Sequence, residues 1–170
     1  VEVVAIEPPD EREWDLLVDG EQHPWGPVGE DLEWEHKQRF VGVRGEGGRL
    51  IASAGVLRAS VCVGDAGELD VVGLGGVFVT QSMRGRGLMA AVVGAALKLA
   101  RELGPEHAML FCRPELAPVY AGHGFEPIAA PVRAMQPAGE VVVPAVAMHL
   151  ALVPGARWPE GEVQVLGLPF

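Results

Sequence analysis

Residues 77–90 read Val77-Phe78-Val79-Thr80-Gln81-Ser82-Met83-Arg84-Gly85-Arg86-Gly87-Leu88-Met89-Ala90. A β-type run, Val77 to Val79, ends in a polar turn that passes through Arg84-Gly85-Arg86-Gly87 and opens into an apolar helical stretch. Glycines at such a junction let the backbone curl and let a ligand approach closely. The first N–H groups of a helix have no carbonyl partner within it, and the dipole places positive charge there. Strand, glycine-rich turn and helix together point to a site for a phosphate-bearing cofactor.

Working outward, the helix is expected to run from Gly87 to about Leu103. Leu88, Val92, Ala95, Ala96, Leu99 and Leu103 form its apolar stripe, and Gly104-Pro105 closes it. Upstream, a long strand from about Glu68 to Val79 carries Gly73, Gly75 and Gly76, which mark a bulge or a close backbone approach. Strands are also expected at Val1–Ile6, Phe40–Arg44, Leu50–Val63, His107–Cys112, Gly124–Ile128 and Val141–Leu152. Helices are expected from Pro8 to Val18, over Gly29–Gln38, and over Glu115–Ala121. The 170 residues suit one α+β domain, a sheet with helices on both faces, and contain no repeat or internal linker.

The composition narrows the function classes. No apolar run approaches the ~18–20 residues of a membrane span, and Glu2 and Glu7 argue against a leader within the sequence. Cys62 and Cys112 sit in apolar runs without ligand spacing, so they read as reduced thiols of a cytoplasmic protein. No metal site is expected. The net charge of −10 is carried by residues 7–35, where eleven acids meet only Arg12. That argues against a nucleic-acid-binding surface and permits attraction of a cationic partner, the alternative being a solvated acidic face.

The Walker pattern is absent, and Gly-x-Gly-x-x-Gly does not fit a strand so late in the chain. The residues instead resemble the GNAT superfamily of acetyl-CoA-dependent N-acyltransferases. Arg84-Gly85-Arg86-Gly87-Leu88-Met89 is similar to that family's Arg/Gln-x-x-Gly-x-Gly/Ala pyrophosphate loop, although Met89 stands where Gly or Ala is usual. Tyr120-Ala121-Gly122-His123-Gly124-Phe125 is similar to its Tyr-x-x-x-Gly-Phe block. The order of elements agrees across nearly the whole chain. The resemblance implies a three-layer α/β/α fold over residues 1–170, with a mixed, mostly antiparallel sheet splayed at the cofactor.

The same resemblance implies roles. Backbone groups of Val77, Phe78 and Val79 pair with pantetheine, an N–H near Val79 holds the oxyanion, and Arg84 to Met89 cradle the pyrophosphate. Tyr120, the only tyrosine, protonates the departing thiolate, in keeping with a phenol's pKa near ~10. The strand positions where many members carry a basic Glu are Gly75 and Gly76 here. Asp70 or Glu68 acting through water, Glu33, Glu35 or His36 on the expected second helix, and the carboxylate of Phe170 are the candidate bases. The last follows a resemblance to aminoglycoside 2'-N-acetyltransferases and enhanced-intracellular-survival acetyltransferases, with Trp158 packing nearby. Trp25 and Trp34 form an aromatic wall for the acceptor or simply pack. The implied reaction moves an acetyl group from acetyl-CoA to a small cationic amine, aminoglycoside- or polyamine-like. A protein amine, a non-catalytic CoA-binding module and an ATP-binding α/β protein are the other readings, and homodimerisation stays open.

Overall fold

The computed structural model describes all residues, Val1–Phe170. Its strands are β1 (Val4–Ile6), β2 (Arg39–Arg44), β3 (Leu50–Val63), β4 (Glu68–Val79), β5 (His107–Cys112), β6 (Glu126–Pro127), β7 (Val132–Gln136), β8 (Gly139–Val142), β9 (Val146–Ala151) and β10 (Val163–Val165). The helices are α1 (Glu11–Val18), α2 (Leu88–Glu102) and α3 (Ala117–Ala121). All ten strands form one sheet, ordered β6-β9-β5-β4-β3-β10-β7-β8, with β2 and then β1 added along β3. Only β4–β5 and β7–β10 pair in parallel.

Valine and alanine alternation builds the two faces. Ala52, Ala54, Val56, Val72 and Leu74 point to one side and pack against Leu88, Val92, Val93, Ala96, Leu97 and Ala100 of α2. The buried stripe of α2 is thus rotated from the expected one, with Ala95, Leu99 and Leu103 at its partly buried edge. On the opposite face α1 caps one end through Leu17, which meets Leu50 and Phe78. Asp10 starts that helix by accepting the Glu13 N–H at 2.8 Å. The rest of that face is covered by irregular chain and by the C-terminal tail, whose Phe170 joins the cluster of Leu57, Val71 and Met109, while Trp158 packs on His107 and His149 and not on Phe170.

Three expectations are corrected. Residues 29–38 form no helix, because Gly26 and Gly29 hold left-handed φ values of +86° and the Trp34 indole N–H donates to the Gly29 carbonyl at 3.0 Å. The last expected strand is broken into β8 and β9, with the non-donating Pro144 between them. The stretch read as irregular and the tail supply β7 and β10, which pair with each other, β10 lying between β3 and β7.

The feature that makes the site is in β4. Between Gly55↔Gly75 and Ser53↔Phe78 the β4 strand spends one residue more than β3, which is a bulge. Gly76, at φ +57°, supplies the turn, and Ser53 Oγ donates to its carbonyl at 2.8 Å. The ladder between β4 and β5 runs only from Val71↔His107 to Leu74↔Leu110. Beyond Leu74 the two strands part, and the backbone of Val77 to Val79 loses its β5 partner.

Candidate active site

The parted strands open a cleft of about 1570 Å³. Its floor is Leu74 to Val79; the turn and start of α2 form one end, and Phe111 to Leu116 with Tyr120 form the far wall. The loop from Pro24 to Glu30 and the segment Trp34 to Lys37 line the remaining side together with Phe170.

The turn into α2 is built to hold an anion. Gly85 and Gly87 both sit at φ +76°, which side-chain-bearing residues rarely adopt. The six consecutive amides from Gly85 to Ala90 donate to no carbonyl of the chain, the first later bond being Ala91 N–H to the Gly87 carbonyl at 3.1 Å. Such a run of free donors at the start of a fifteen-residue helix is a nest for a phosphate group. Leu88 and Met89 line the cleft with this turn, so the larger side chain at Met89 does not close it. Arg84 packs over the Phe78 ring at 5.5 Å and donates from Nε to the Val79 carbonyl at 3.1 Å, while Glu21 pairs with its Nη2. Arg86 is not part of the cleft wall and lines a smaller hollow beside Val1 and Glu2 instead.

Tyr120 reaches the cleft from α3 and is 5 % exposed. Its ring meets Phe125 edge-on at 6.0 Å, and its carbonyl accepts the N–H groups of His123 and Phe125 at 2.9 and 3.2 Å. The Tyr-x-x-x-Gly-Phe block is therefore a structural clasp that aims the phenol. Burial, with smaller effects of Cys112 and Arg113, pushes the phenol pKa up from its ordinary value. The hydroxyl keeps its proton through the neutral range. Burial also pushes the neighbouring Cys112 thiol up to about 11, so it stays protonated.

The structure brings Trp25, Gly75, Gly76 and Phe170 to the cleft. Trp25 stands between Trp14 and Phe78, with ring centroids at 5.5 and 5.6 Å. The Phe170 ring meets Phe111 at 5.5 Å and lies over Gly73, whose Cβ, if present, would stand 2.5 Å from Phe170 Cδ2 and 2.8 Å from Leu57 Cδ2. Gly73→Ala is accordingly expected to destabilise the fold by about 1–3 kcal/mol through overpacking, measured as a lower denaturant midpoint; an unchanged midpoint would remove Phe170 from this place.

Two expected site residues lie elsewhere. Asp70 pairs in register with Ser60, accepts its hydroxyl at 3.1 Å and faces Arg58 at 3.7 Å. It stands five strand residues before Gly75, about 17 Å of extended chain, and is not in the cleft wall. Glu33 exchanges backbone bonds with the Gln136 side chain at 2.8 and 2.9 Å and is likewise outside the wall. Glu35 and His36 do line the cleft, where the Glu35 N–H donates to the Pro169 carbonyl at 2.7 Å.

Sequence reading missed Lys37 and Arg113. Lys37 is the first cation after a long acidic run and reads as a surface residue. In the structure its stem lies across Gly55 and Gly75, with Cβ 2.8 Å and Cε 2.3 Å from the places where their Cβ atoms would stand. Its Nζ donates to the Glu35 carbonyl at 3.1 Å. Burial outweighs the attraction of the Glu35 carboxylate and pulls its pKa down to about 8. With only two lysines, Lys37 and Lys98, in the chain, ¹³C-labelled lysine should give two side-chain signals. One is expected to titrate with a midpoint near 8; its absence would contradict this burial. Arg113 folds its stem over Gly26, Cδ standing 2.5 Å from the missing Cβ, so only a glycine lets the loop settle on the far wall.

The family description "Acetyltransferase (GNAT) domain" matches residues 22–128. No curated protein sequence matches the chain. Among solved structures, the GNAT family N-acetyltransferase YhbS from Escherichia coli in complex with CoA superposes with a TM-score of 0.63 at 20% identity, over 99% of this chain and 94% of that one. The ribosomal-protein-S18-alanine N-acetyltransferase from Escherichia coli gives 0.56 at 16% identity, over 92% and 99%. Eis1 from Mycobacterium abscessus gives 0.54 at 20% identity, over 74% of this chain and 31% of that one. These identities establish a shared fold.

Proposed function

The chain belongs to the GNAT family of acetyltransferases, which draw their acyl group from acetyl-CoA, and we propose that its cleft passes the acetyl group directly to a small cationic primary amine. The run of free amides from Gly85 to Ala90 beside the unpaired edge of β4 carries this reading. The amides fit a pyrophosphate, and the backbone of Val77 to Val79 offers strand-like pairing to the two amides of pantetheine. Acetyl-CoA supplies the activated thioester; the remaining chemistry falls to the chain.

An amine acceptor enters beside Glu30 and Glu35, between the Trp25 and Trp34 rings, which favour a cation by charge and by π-face attraction. The ammonium loses a proton before attack, and Glu35 is the proposed acceptor for it. The amine nitrogen then bonds to the acetyl carbon, and a backbone N–H near Val79 steadies the oxyanion. As the carbon–sulfur bond breaks, Tyr120 gives its proton to the departing thiolate, and the proton shed by the new amide nitrogen returns through solvent to the phenol. A panel of aminoglycosides, polyamines, amino acids and N-terminal peptides, followed by release of free CoA thiol, tests the acceptor. Polycationic amines are expected to turn over fastest; preference for an anionic amino acid or a peptide would overturn the cationic-acceptor assignment.

A further inference from the structure

Lys37 lines the same cleft as the amide nest. The amide nest follows the C-terminal end of β4, so a cofactor arm running from it along Val79 and Val77 heads back toward Gly76 and Gly75. From Val79 to Gly75 this spans four residues, about 14 Å of extended strand. At that end stands Lys37, its Nζ 2.8 Å from the place where a Gly75 Cβ would be. Gly75, one of the two glycines that leave the cleft without a strand carboxylate, makes room for the lysine stem together with Gly55. This inference rests on the placement of CoA proposed above.

We infer that Lys37 is a self-acetylation site: with acetyl-CoA bound and no external amine present, its Nζ takes the acetyl group within the same molecule. The neutral amine attacks the thioester carbonyl, the nitrogen–carbon bond forms and the carbon–sulfur bond breaks. Tyr120 protonates the CoA thiolate, and the new amide nitrogen gives up a proton to solvent, which restores the phenol. The products are N-acetyl-Lys37 and free CoA. Burial that draws the Lys37 pKa down to about 8 leaves a useful share of neutral amine near pH 7.5. Fixing the amine in the cleft supplies the rest, since an attached nucleophile reacts at a high effective concentration.

The chain carries its own control, because its other lysine, Lys98, is exposed on the outside of α2. The full chain is incubated with acetyl-CoA alone, digested, and both lysine peptides are quantified by mass spectrometry. Lys37 is expected to acquire one acetyl group at least about tenfold faster than Lys98. The rate should not change on dilution of the protein, and heat-unfolded chain should lose the preference. Tyr120→Phe should slow labelling of Lys37 and leave that of Lys98 alone, while Lys37→Arg should still bind CoA by calorimetry. Equal labelling of both lysines, or the same pattern in unfolded chain, overturns the inference. If calorimetry shows acetyl-CoA bound and Lys37 stays unlabelled, the inference fails and the CoA placement survives. If no acetyl-CoA binds, both fall.

Discussion

Replacing Gly85 and Gly87 together by alanine is expected to weaken CoA binding by about thirty- to several-hundred-fold. Both residues hold φ +76°, and a Cβ at either would meet nothing within 4 Å. Steric clash within the protein therefore plays no part. The cost is the left-handed backbone itself, about 1–2 kcal/mol for each L-residue forced into it. The free chain escapes that cost by letting the turn relax, which dissolves the nest; binding must rebuild it. Two such penalties of about 2–4 kcal/mol in all convert to the stated loss at about 1.4 kcal/mol per tenfold. The turn is exposed and outside the core clusters, so the melting temperature should barely move. Isothermal calorimetry with CoA, beside a thermal melt, checks both halves. Unchanged affinity would mean that these amides do not hold the pyrophosphate.

Tyr120→Phe is expected to lower kcat by about 10²–10⁴-fold, the usual worth of a positioned proton donor, with CoA affinity changed less than twofold. The substitution keeps the ring that packs on Phe125 and removes only the hydroxyl. Because burial raises the phenol pKa, the wild-type donor stays protonated as pH rises past a phenol's ordinary ~10. Loss of activity on the alkaline side below that point belongs to another group. The same shift has a consequence for stability. A group whose folded pKa lies above its unfolded value stabilises the fold fully below the unfolded value and loses that contribution as pH climbs toward the folded one. Wild-type chain should weaken above pH ~10, and Tyr120→Phe should weaken less over the same interval in denaturant melts. A rate equal to wild type would remove the phenol from the chemistry.

Much of this was legible in the amino-acid order. The β3 and β4 strands and the helix α2 are long, strongly patterned and bounded by glycine turns, so local signals and tertiary packing agree. The nest and the tyrosine clasp were readable because each is a short, contiguous piece of chain whose geometry depends on glycines at fixed places. Residues 29–38 misled because Glu30 to Gln38 contain no glycine or proline to break a helix. Trp34 instead bonds back to Gly29, and Glu35 is held by Pro169 from the far end of the chain. The strands β7 and β10 were hidden for a similar reason, since β10 is held between β3 and β7, and β7 between β10 and β8, and not by their own few residues.

The base shows the limit most clearly. Sequence proximity favoured Asp70, five residues before Gly75 on the same strand, but strand geometry turns that nearness into distance. Lys37, thirty-eight positions away in the chain, lies directly across Gly75 because β2 and β3 fold its segment over the bulge. The glycines at 55 and 75 look like gaps in the sequence and are occupied space in the fold.

Amide hydrogen exchange with and without CoA shows whether the turn into α2 holds the cofactor. The amides of Gly85 to Ala90 have no carbonyl partner in the free chain and should exchange fast. CoA is expected to slow them, together with those of Val77 and Val79, and to leave the α1 and β7–β8 regions unchanged. Protection that appears elsewhere, or a turn that exchanges at the same rate with saturating CoA, would contradict the account.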